Sequence, residues 1–405
     1  MRVLLVGPGG REHALAWSLS RSSSLGELHA APGNPGIAAF GECHPVDAAD
    51  VEGLTALARS VKPDLVVVGP EAPLVSGIVD ELRAAGIAAF GPDAAAARIE
   101  GSKAFAKAVM QTAGVASPAA LDEPRAPCVV KFDGLAGGKG VFVCHTSGEL
   151  ERGLAAALRL GDDVVVEELL EGDELSLFAL SDGRDVLPLA PARDFKRARD
   201  GDAGPNTGGM GAYSPVPSID GADVDELVDT VHRPVIRELA GRGTPFTGLL
   251  YAGLMLTDSG PRVLEFNCRF GDPETQAILP RLDGDLLDTL AAAAAGELGG
   301  TQLVARDAAV TVVLAAQGYP ETGDTGTPIG GIDDAERAGA LVFHAGTRFD
   351  GPRLVTAGGR VLNVTGTGDS LEDARRAAYD GAAAIRCDAL RYRSDIAGEV
   401  AAVRG

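Results

Sequence analysis

Near the two-thirds point the chain runs Leu264-Glu265-Phe266-Asn267-Cys268-Arg269-Phe270-Gly271-Asp272-Pro273-Glu274. Strand alternation puts Glu265 and Asn267 on one face and Leu264 and Phe266 on the other. A carboxylate and an amide oxygen side by side suit a hard, oxygen-loving cation such as Mg²⁺. Arg269 follows directly, then a turn carrying Asp272 and Glu274. Acid, amide and guanidinium so closely spaced point to metal plus phosphate. The competing reading is a strand end running into a solvated charged turn.

Upstream, Cys128-Val129-Val130-Lys131 reads as a strand, Phe132 to Gly140 is glycine-rich and holds Gly138 and Lys139, and Val141-Phe142-Val143 reads as a second strand. Glycines let backbone N–H groups approach phosphate oxygens, and lysine supplies a compact charge. This is not a P-loop, because Lys139 is followed by Gly140 and a strand rather than by Ser or Thr at a helix start. It reads as a lid able to close over a nucleotide, or equally as an ordinary hairpin loop. Next come Val164 to Leu170 with Glu167 and Glu168, then Gly172-Asp173-Glu174 and a strand from Leu175 to Leu180. Lysine strand, glycine loop, acidic hinge and Glu-x-Asn, in that order, resemble the ATP-grasp enzymes.

Further words sharpen the resemblance. They are Gly9-Gly10-Arg11-Glu12-His13-Ala14, Val68-Gly69-Pro70-Glu71-Ala72-Pro73-Leu74, Gly101-Ser102-Lys103-Ala104-Phe105 and Gly204-Pro205-Asn206-Thr207-Gly208-Gly209-Met210-Gly211-Ala212-Tyr213-Ser214-Pro215. With Arg269 to Glu274 they resemble the phosphoribosylamine–glycine ligases, from residue 6 to near Gly358.

That resemblance implies an α/β fold, α+β overall: an N-terminal Rossmann-like parallel-sheet domain (residues 1–101), an ATP-grasp domain (102–304, mobile lid about 115–185) and a small β-rich C-terminal domain (305–405). It implies ATP and Mg²⁺ or Mn²⁺ as cofactors, and glycine and 5-phosphoribosylamine as substrates. Lys103, Lys131, Gly138 and Lys139 would meet the ATP phosphates. Glu167 and the backbone of Glu168 to Leu170 would meet adenine, and Glu174 the ribose. Glu265 and Asn267 would hold the metal, with Arg269 and Lys139 as catalytic cations. Gly9, Gly10, Arg11, Glu71, Lys196, Asn206, Thr207, Gly208 and Asp272 would line the substrate side. His13, one helical turn in, reads as a packing partner rather than a base.

Composition sets outer bounds. A chain of 405 residues, 45% apolar, can bury two or three cores. No apolar run approaches the ~20 residues that span a bilayer. Cys43, Cys128, Cys144, Cys268 and Cys387 lack metal spacing and fit a reduced cytoplasmic setting. A net charge of −21 argues against nucleic acid or anionic membrane as partners. A monomer is expected. Because both substrates are anionic, cations must be concentrated locally, and lysine occurs only at Lys62, Lys103, Lys107, Lys131, Lys139 and Lys196.

In the first hundred residues Val3–Val6, Leu28–Ala31, Leu65–Val68 and Ile87–Phe90 read as strands, with helices over Arg11–Ser20, Val51–Ser60 and Val75–Ala85. This βαβ pattern gathers ligands at the strands' carboxyl ends. The sequence argues against a dinucleotide-binding dehydrogenase: its third glycine would fall on Glu12, and Ala30-Ala31-Pro32 stands where an acid should end the second strand. Toward the C-terminus, Ala309–Ala315 and Arg360–Val364 read as strands and Leu371–Ile385 as a helix.

The chain departs from the family's pattern at four places. Phe195 stands for histidine, Phe132 for alanine and Gly137 for alanine, and Ser117 to Lys131 is short by a helix. An ATP-grasp ligase for another acid and amine, or a non-catalytic nucleotide binder, are the other readings, the intact Glu265, Asn267, Lys139 and Arg269 arguing against the latter.

Overall fold

Val3, Leu4, Leu5 and Val6 are wholly buried, as a four-residue apolar run in the middle of a two-sided parallel sheet must be. In the computed structural model, which describes residues 1–137 and 139–401, the strand Arg2–Gly7 lies between Glu27–Pro32 and Leu65–Val68. Glu42–Cys43 and Ala89–Phe90 close the two edges, all strands parallel. The chain order reverses between Arg2–Gly7 and Leu65–Val68, the crevice where such sheets receive ligands. The helix Gly10–Leu19 starts there, its first turn tightened by Glu12, whose carboxylate accepts from Gly9 N–H at 2.7 Å.

Two local readings change. The helix expected over Val75–Ala85 is two, Glu71–Val75 and Ile78–Ala84, because Gly77 between them adopts φ 87°, where a right-handed helix stops. The edge strand Glu42–Cys43 had no apolar run to announce it.

The middle of the chain builds an antiparallel sheet in the order Val186–Pro188, Asp173–Asp182, Thr247–Thr257, Gly260–Asn267. A smaller sheet has Cys128–Phe132 at its centre, antiparallel to Val141–Cys144 and Val164–Glu168. The helix Ser147–Ala157 covers that sheet, started by a reciprocal cap between Thr146 and Glu149. Cys128, Val130, Cys144, Leu150, Ala157 and Val166 form its own small core, separate from the two large clusters. A unit with a separate core can shift without unpacking its neighbour, the physical requirement for a lid. The expected lid limit of 115–185 extends too far: Asp173–Asp182 pairs with Thr247–Thr257 from Asp173↔Leu256 to Asp182↔Thr247, so it belongs to the body.

The last sheet pairs Ala308–Ala316 with Arg360–Gly368, and Arg360–Gly368 with Leu341–His344. On its other side it takes in Gly211–Ser214 and Arg193–Asp194 from much earlier in the chain. Leu371–Ala384 packs on it, so closely that a Cβ at Gly366 would sit 2.2 Å from Ala374 O. All five cysteines are free thiols. Among the described residues no helix is long and apolar enough to cross a membrane.

Candidate active site

The strand Gly260–Asn267 carries a bulge that period-two counting cannot see. Gly253 pairs with Glu265 and Leu254 with Val263, leaving Leu264 unpaired. Val263 and Phe266 are therefore the buried pair, and Leu264 is only half-buried, not the partner of Phe266 in the core. Past the bulge Glu265 and Asn267 keep the spacing of one face. The freed carbonyl of Leu264 accepts from Lys131 Nζ at 2.9 Å, tying the lid strand to the body. Asn267, oriented by its hydrogen bonds, donates to Phe266 O at 3.2 Å and Glu100 Oε1 at 3.1 Å. That turns its oxygen to the opposite side.

Lys103 begins the helix Lys103–Ala113, where Asp133 accepts from its N–H at 2.5 Å, and its ammonium donates to Gly134 O at 3.1 Å. Burial lowers the Lys103 pKa; the nearby Glu265 carboxylate opposes that and the Lys131 charge adds to it. Lys103, Lys131 and the Glu265 carboxylate thus lie close together, a set of two ammonium groups and a hard oxygen donor that suits a polyphosphate and its cation.

Glu167 is buried, its carboxylate 2.6 Å from Lys131 and 2.5 Å from Lys107. Its first task in this structure is to hold those lysines. Glu168 accepts from Ala119 N–H at 2.8 Å, and Leu170 is half-buried at the hinge beyond the strand. Glu174 meets Lys196 at 2.7 Å, as does Asp194. Burial works against the Lys196 charge, but Asp194 and Glu174 outweigh it and hold its pKa well above the usual lysine range. Glu274, beside this group, is pushed up to about 7 by burial and then by Asp194. Lys139 is exposed and lines an open cleft of about 660 Å³ with Arg152, Arg159, Arg197 and Asn206. Glu265, Lys103 and Lys131 do not line that cleft, whose far wall is made by Pro205, Pro320 and Glu321. Gly138 lies outside the described residues.

A second cluster sits at the mouth of the N-terminal sheet. Arg269 meets Glu71 at 3.1 Å and Glu100 at 3.0 Å, and donates to Phe270 O at 3.1 Å. Burial alone would raise Glu71, but Arg269 and then Arg11 bring it down to about 2. In Glu100 burial prevails over Arg269 and the pKa rises. Arg11 bonds Glu12 at 2.5 Å and Phe270 O at 3.1 Å. Asp272 faces Gly9, whose Cβ position is 3.5 Å from its carboxylate, and Arg360 lies 3.4 Å away. Against the pull of burial, Arg360 and Arg11 hold Asp272 low. Arg360 also donates to Gly208 O at 2.6 Å, Tyr319 accepts from Gly208 N–H at 2.9 Å, and Thr207 donates to Lys196 O at 2.9 Å. Gly10 has no room for a side chain: a Cβ would reach Asn363 Nδ2 at 2.2 Å.

The structure thus gathers Lys103, Lys131, Glu265 and Asn267 at one place, and Arg11, Glu71, Arg269, Asp272, Gly9 and Gly208 at another. Glu100, Arg360 and Tyr319 belong with them and were not foreseen. Glu100 is an ordinary acid near a helix end, and only the Gly358-Gly359 pair before Arg360 hinted at a crowded turn, Gly359 lying under Tyr319. His13 is a packing residue: it accepts from His344 N–H at 2.7 Å and its ring meets Phe343 edge-on. The departures are accommodated. Phe195 packs on Tyr213 beneath the Arg393 guanidinium, and the Phe132 ring covers Gly134 and Gly161. No helix intervenes between Ala113 and Cys128.

Residues 1–100 match the N domain, 101–275 the ATP-grasp (A) domain and 309–399 the C domain of phosphoribosylglycinamide synthetase. A phosphoribosylamine–glycine ligase of Streptomyces coelicolor is 53% identical over 418 residues, covering 99% of this chain and all of that one. One from Mycobacterium leprae is 49% identical over 98% of this chain and 97% of its own length. The crystal structure of the phosphoribosylamine–glycine ligase of Thermotoga maritima, 33% identical, superposes with a TM-score of 0.86 over 98% of this chain and all of that one. A Hydrogenobacter thermophilus biotin carboxylase domain, 16% identical with a TM-score of 0.72, shares the fold over 96% of this chain and 91% of that one. The chain belongs to the phosphoribosylamine–glycine ligase family, the ATP-grasp ligases of purine biosynthesis.

Proposed function

We propose that the chain joins glycine to 5-phosphoribosylamine, cleaving ATP to ADP and phosphate and releasing glycinamide ribonucleotide. The observation that carries this reading is the pairing of two sites: the Lys103–Lys131–Glu265–Asn267 cradle, and the Arg11–Glu71–Arg269–Asp272–Arg360 cluster at the sheet's mouth. One suits ATP and the other an anionic amine.

Glu265 and the amide oxygen of Asn267 are hard oxygen donors two residues apart on one strand and fit Mg²⁺ or Mn²⁺. A cation held there would neutralise charge between the β- and γ-phosphates. Lys103 and Lys131 orient the phosphates, and Lys139 approaches from the lid. Glu167 positions Lys131; together with the backbone from Glu168 to Leu170 it bounds the adenine side, and Glu174 bounds the ribose. The backbone at Gly138 belongs to the same phosphate loop by sequence alone.

A glycine carboxylate oxygen attacks the γ-phosphorus, and the bond to the ADP oxygen breaks, giving glycyl phosphate. The sugar amine then attacks the carbonyl carbon, loses a proton and expels phosphate. Arg269, kept charged by Glu71 and Glu100, faces the charge that develops on the transferring group. The N–H groups at Gly9 and Gly10, with Arg11, suit the sugar phosphate at the start of a helix. Glu71, ionised at neutral pH, suits the amine. Asp272, Lys196, Thr207 and Gly208 complete the wall, and Asn206 borders it from the cleft it shares with Lys139. Five free thiols support a reducing cytoplasm, where the chain acts as a monomer.

ADP release tests the reading, with ATP, Mg²⁺, glycine and freshly formed phosphoribosylamine present and each substrate omitted in turn. Full turnover is expected only with both. Equal ADP release with either one omitted would leave an ATPase or a ligase for other substrates.

A further inference from the structure

The outer edge of the N-terminal sheet carries a group that the ligation does not use. His29 and Glu42 are Cα partners across the parallel pair Glu27–Pro32 and Glu42–Cys43. His44 continues the strand path, its N–H bonded to Ala30 O at 2.8 Å. Glu42 and His44 therefore share one face at strand spacing, while Cys43 between them sends its thiol toward Asn34 O at 3.9 Å. His29 Nδ1 and His44 Nε2 lie 3.0 Å apart, and Glu42 Oε2 is 3.8 Å from His29 Nδ1. One ligand atom from each of the three falls within 4.8 Å of the others.

We propose that His29, Glu42 and His44 form a second metal site, for a borderline transition dication of the Zn²⁺ class. Tetrahedral coordination at ~2.0–2.1 Å spaces ligand atoms by about 3.3 Å, so small side-chain shifts from the present positions suffice. Two imidazoles and one carboxylate favour zinc, cobalt or nickel over magnesium, which prefers oxygen alone. The second nitrogen of His29 faces Glu27 at 3.8 Å, and Glu27 is itself held by Arg2 at 2.5 Å. A carboxylate behind a ligating histidine is the arrangement that orients the ring and raises its basicity. Glu42 is exposed and both histidines are half-buried, so the fourth position opens to water. The ion would clip a two-residue edge strand to its neighbour, far in role from the oxygen-only pair Glu265 and Asn267.

The test uses tag-free, full-length protein stripped with a chelator and titrated with Co²⁺ in the absence of nucleotide. One equivalent with the intense visible spectrum of tetrahedral cobalt is expected, displaced by Zn²⁺. His44→Gln and, as the exposed second variant, Glu42→Gln should weaken binding by at least about tenfold. Both should keep the wild-type circular dichroism and ligation rate, and Glu265→Gln should keep the cobalt spectrum. A pale octahedral spectrum in wild type, or equal affinity and stoichiometry in wild type and both variants, overturns the site.

Discussion

Lys131→Met tests the link between lid and chemistry most directly. In this structure Lys131 donates to Leu264 O at 2.9 Å and pairs with Glu167 at 2.6 Å. At about 4 Å from a phosphate oxygen, with an effective dielectric near 20, its charge contributes about 4 kcal/mol. Reaching the phosphate costs the Leu264 bond, about 1 kcal/mol net. Sharing the charge with Glu167 reduces the remainder further, leaving about 2–3 kcal/mol, or about 30- to 150-fold in kcat/KM for ATP. Lys107→Met is the matched comparison. It removes a partner from the same carboxylate, at 2.5 Å, and a bond to Pro118 O at 2.7 Å, but touches no phosphate in the proposed complex. Both variants should lower the urea midpoint, since Glu167 keeps only one lysine. Only Lys131→Met should lower kcat/KM, measured by steady-state ADP release. Equal losses in the two variants would mean that Lys131 serves Glu167 and the hinge, not the nucleotide.

Glu265→Gln should abolish most ligation while leaving the fold intact, and turnover near wild type at saturating Mg²⁺ would remove the metal assignment. Amides of residues 133–137 should exchange quickly in the free protein and slow with an ATP analogue and Mg²⁺; Leu135 is exposed and Gly137 sits at φ 55°, so equal protection in both states would argue against closure. Burial pushes His13 down to about 3, and His232 and His344 to about 4, from 6.5. Because these folded values lie below the unfolded one, the unfolded chain takes up more protons in acid. The stability they contribute is whole above about pH 6.5 and falls below it, by up to about 2 kcal/mol each at pH 5. Urea unfolding at pH 7 and 5 should show the loss, and His232→Gln should reduce it; an unchanged pH difference would refute the assignment for that residue. ATP labelled with ¹⁸O at the β–γ bridge should scramble its label with enzyme and glycine, or with an unreactive amine analogue added to close the site. No scrambling while the β-phosphate can rotate would exclude glycyl phosphate.

The parallel sheet was legible because its strands are continuous apolar runs, and the Glu265–Asn267 pair because its spacing survives the bulge. The bulge itself was not: Val263, Leu264 and Phe266 are all apolar, and nothing in their order says which one is left unpaired. The break at Gly77 was missed because a single glycine inside a helical pattern is compatible with either outcome. Glu100 and Arg360 acquire their meaning only from contacts with Arg269 and Asp272, far away in sequence, where periodicity is silent. Glu167 was assigned to adenine, and its two lysines became visible only once the lid strands were paired. The edge histidines likewise needed the register of His29 with Glu42.

The sheet that joins Gly211–Ser214 to Ala308–Ala316 has a consequence for synthesis. Gly211 pairs with Val312, and at about 5–20 residues per second that partner leaves the ribosome several seconds after it. For that interval Met210, Ala212 and Tyr213, all buried at the end, wait beside an open backbone edge. Such an edge recruits other strands. A message truncated near Gly300 would make the wait permanent, turning an unfinished chain into a seed for aggregation rather than an inactive fragment.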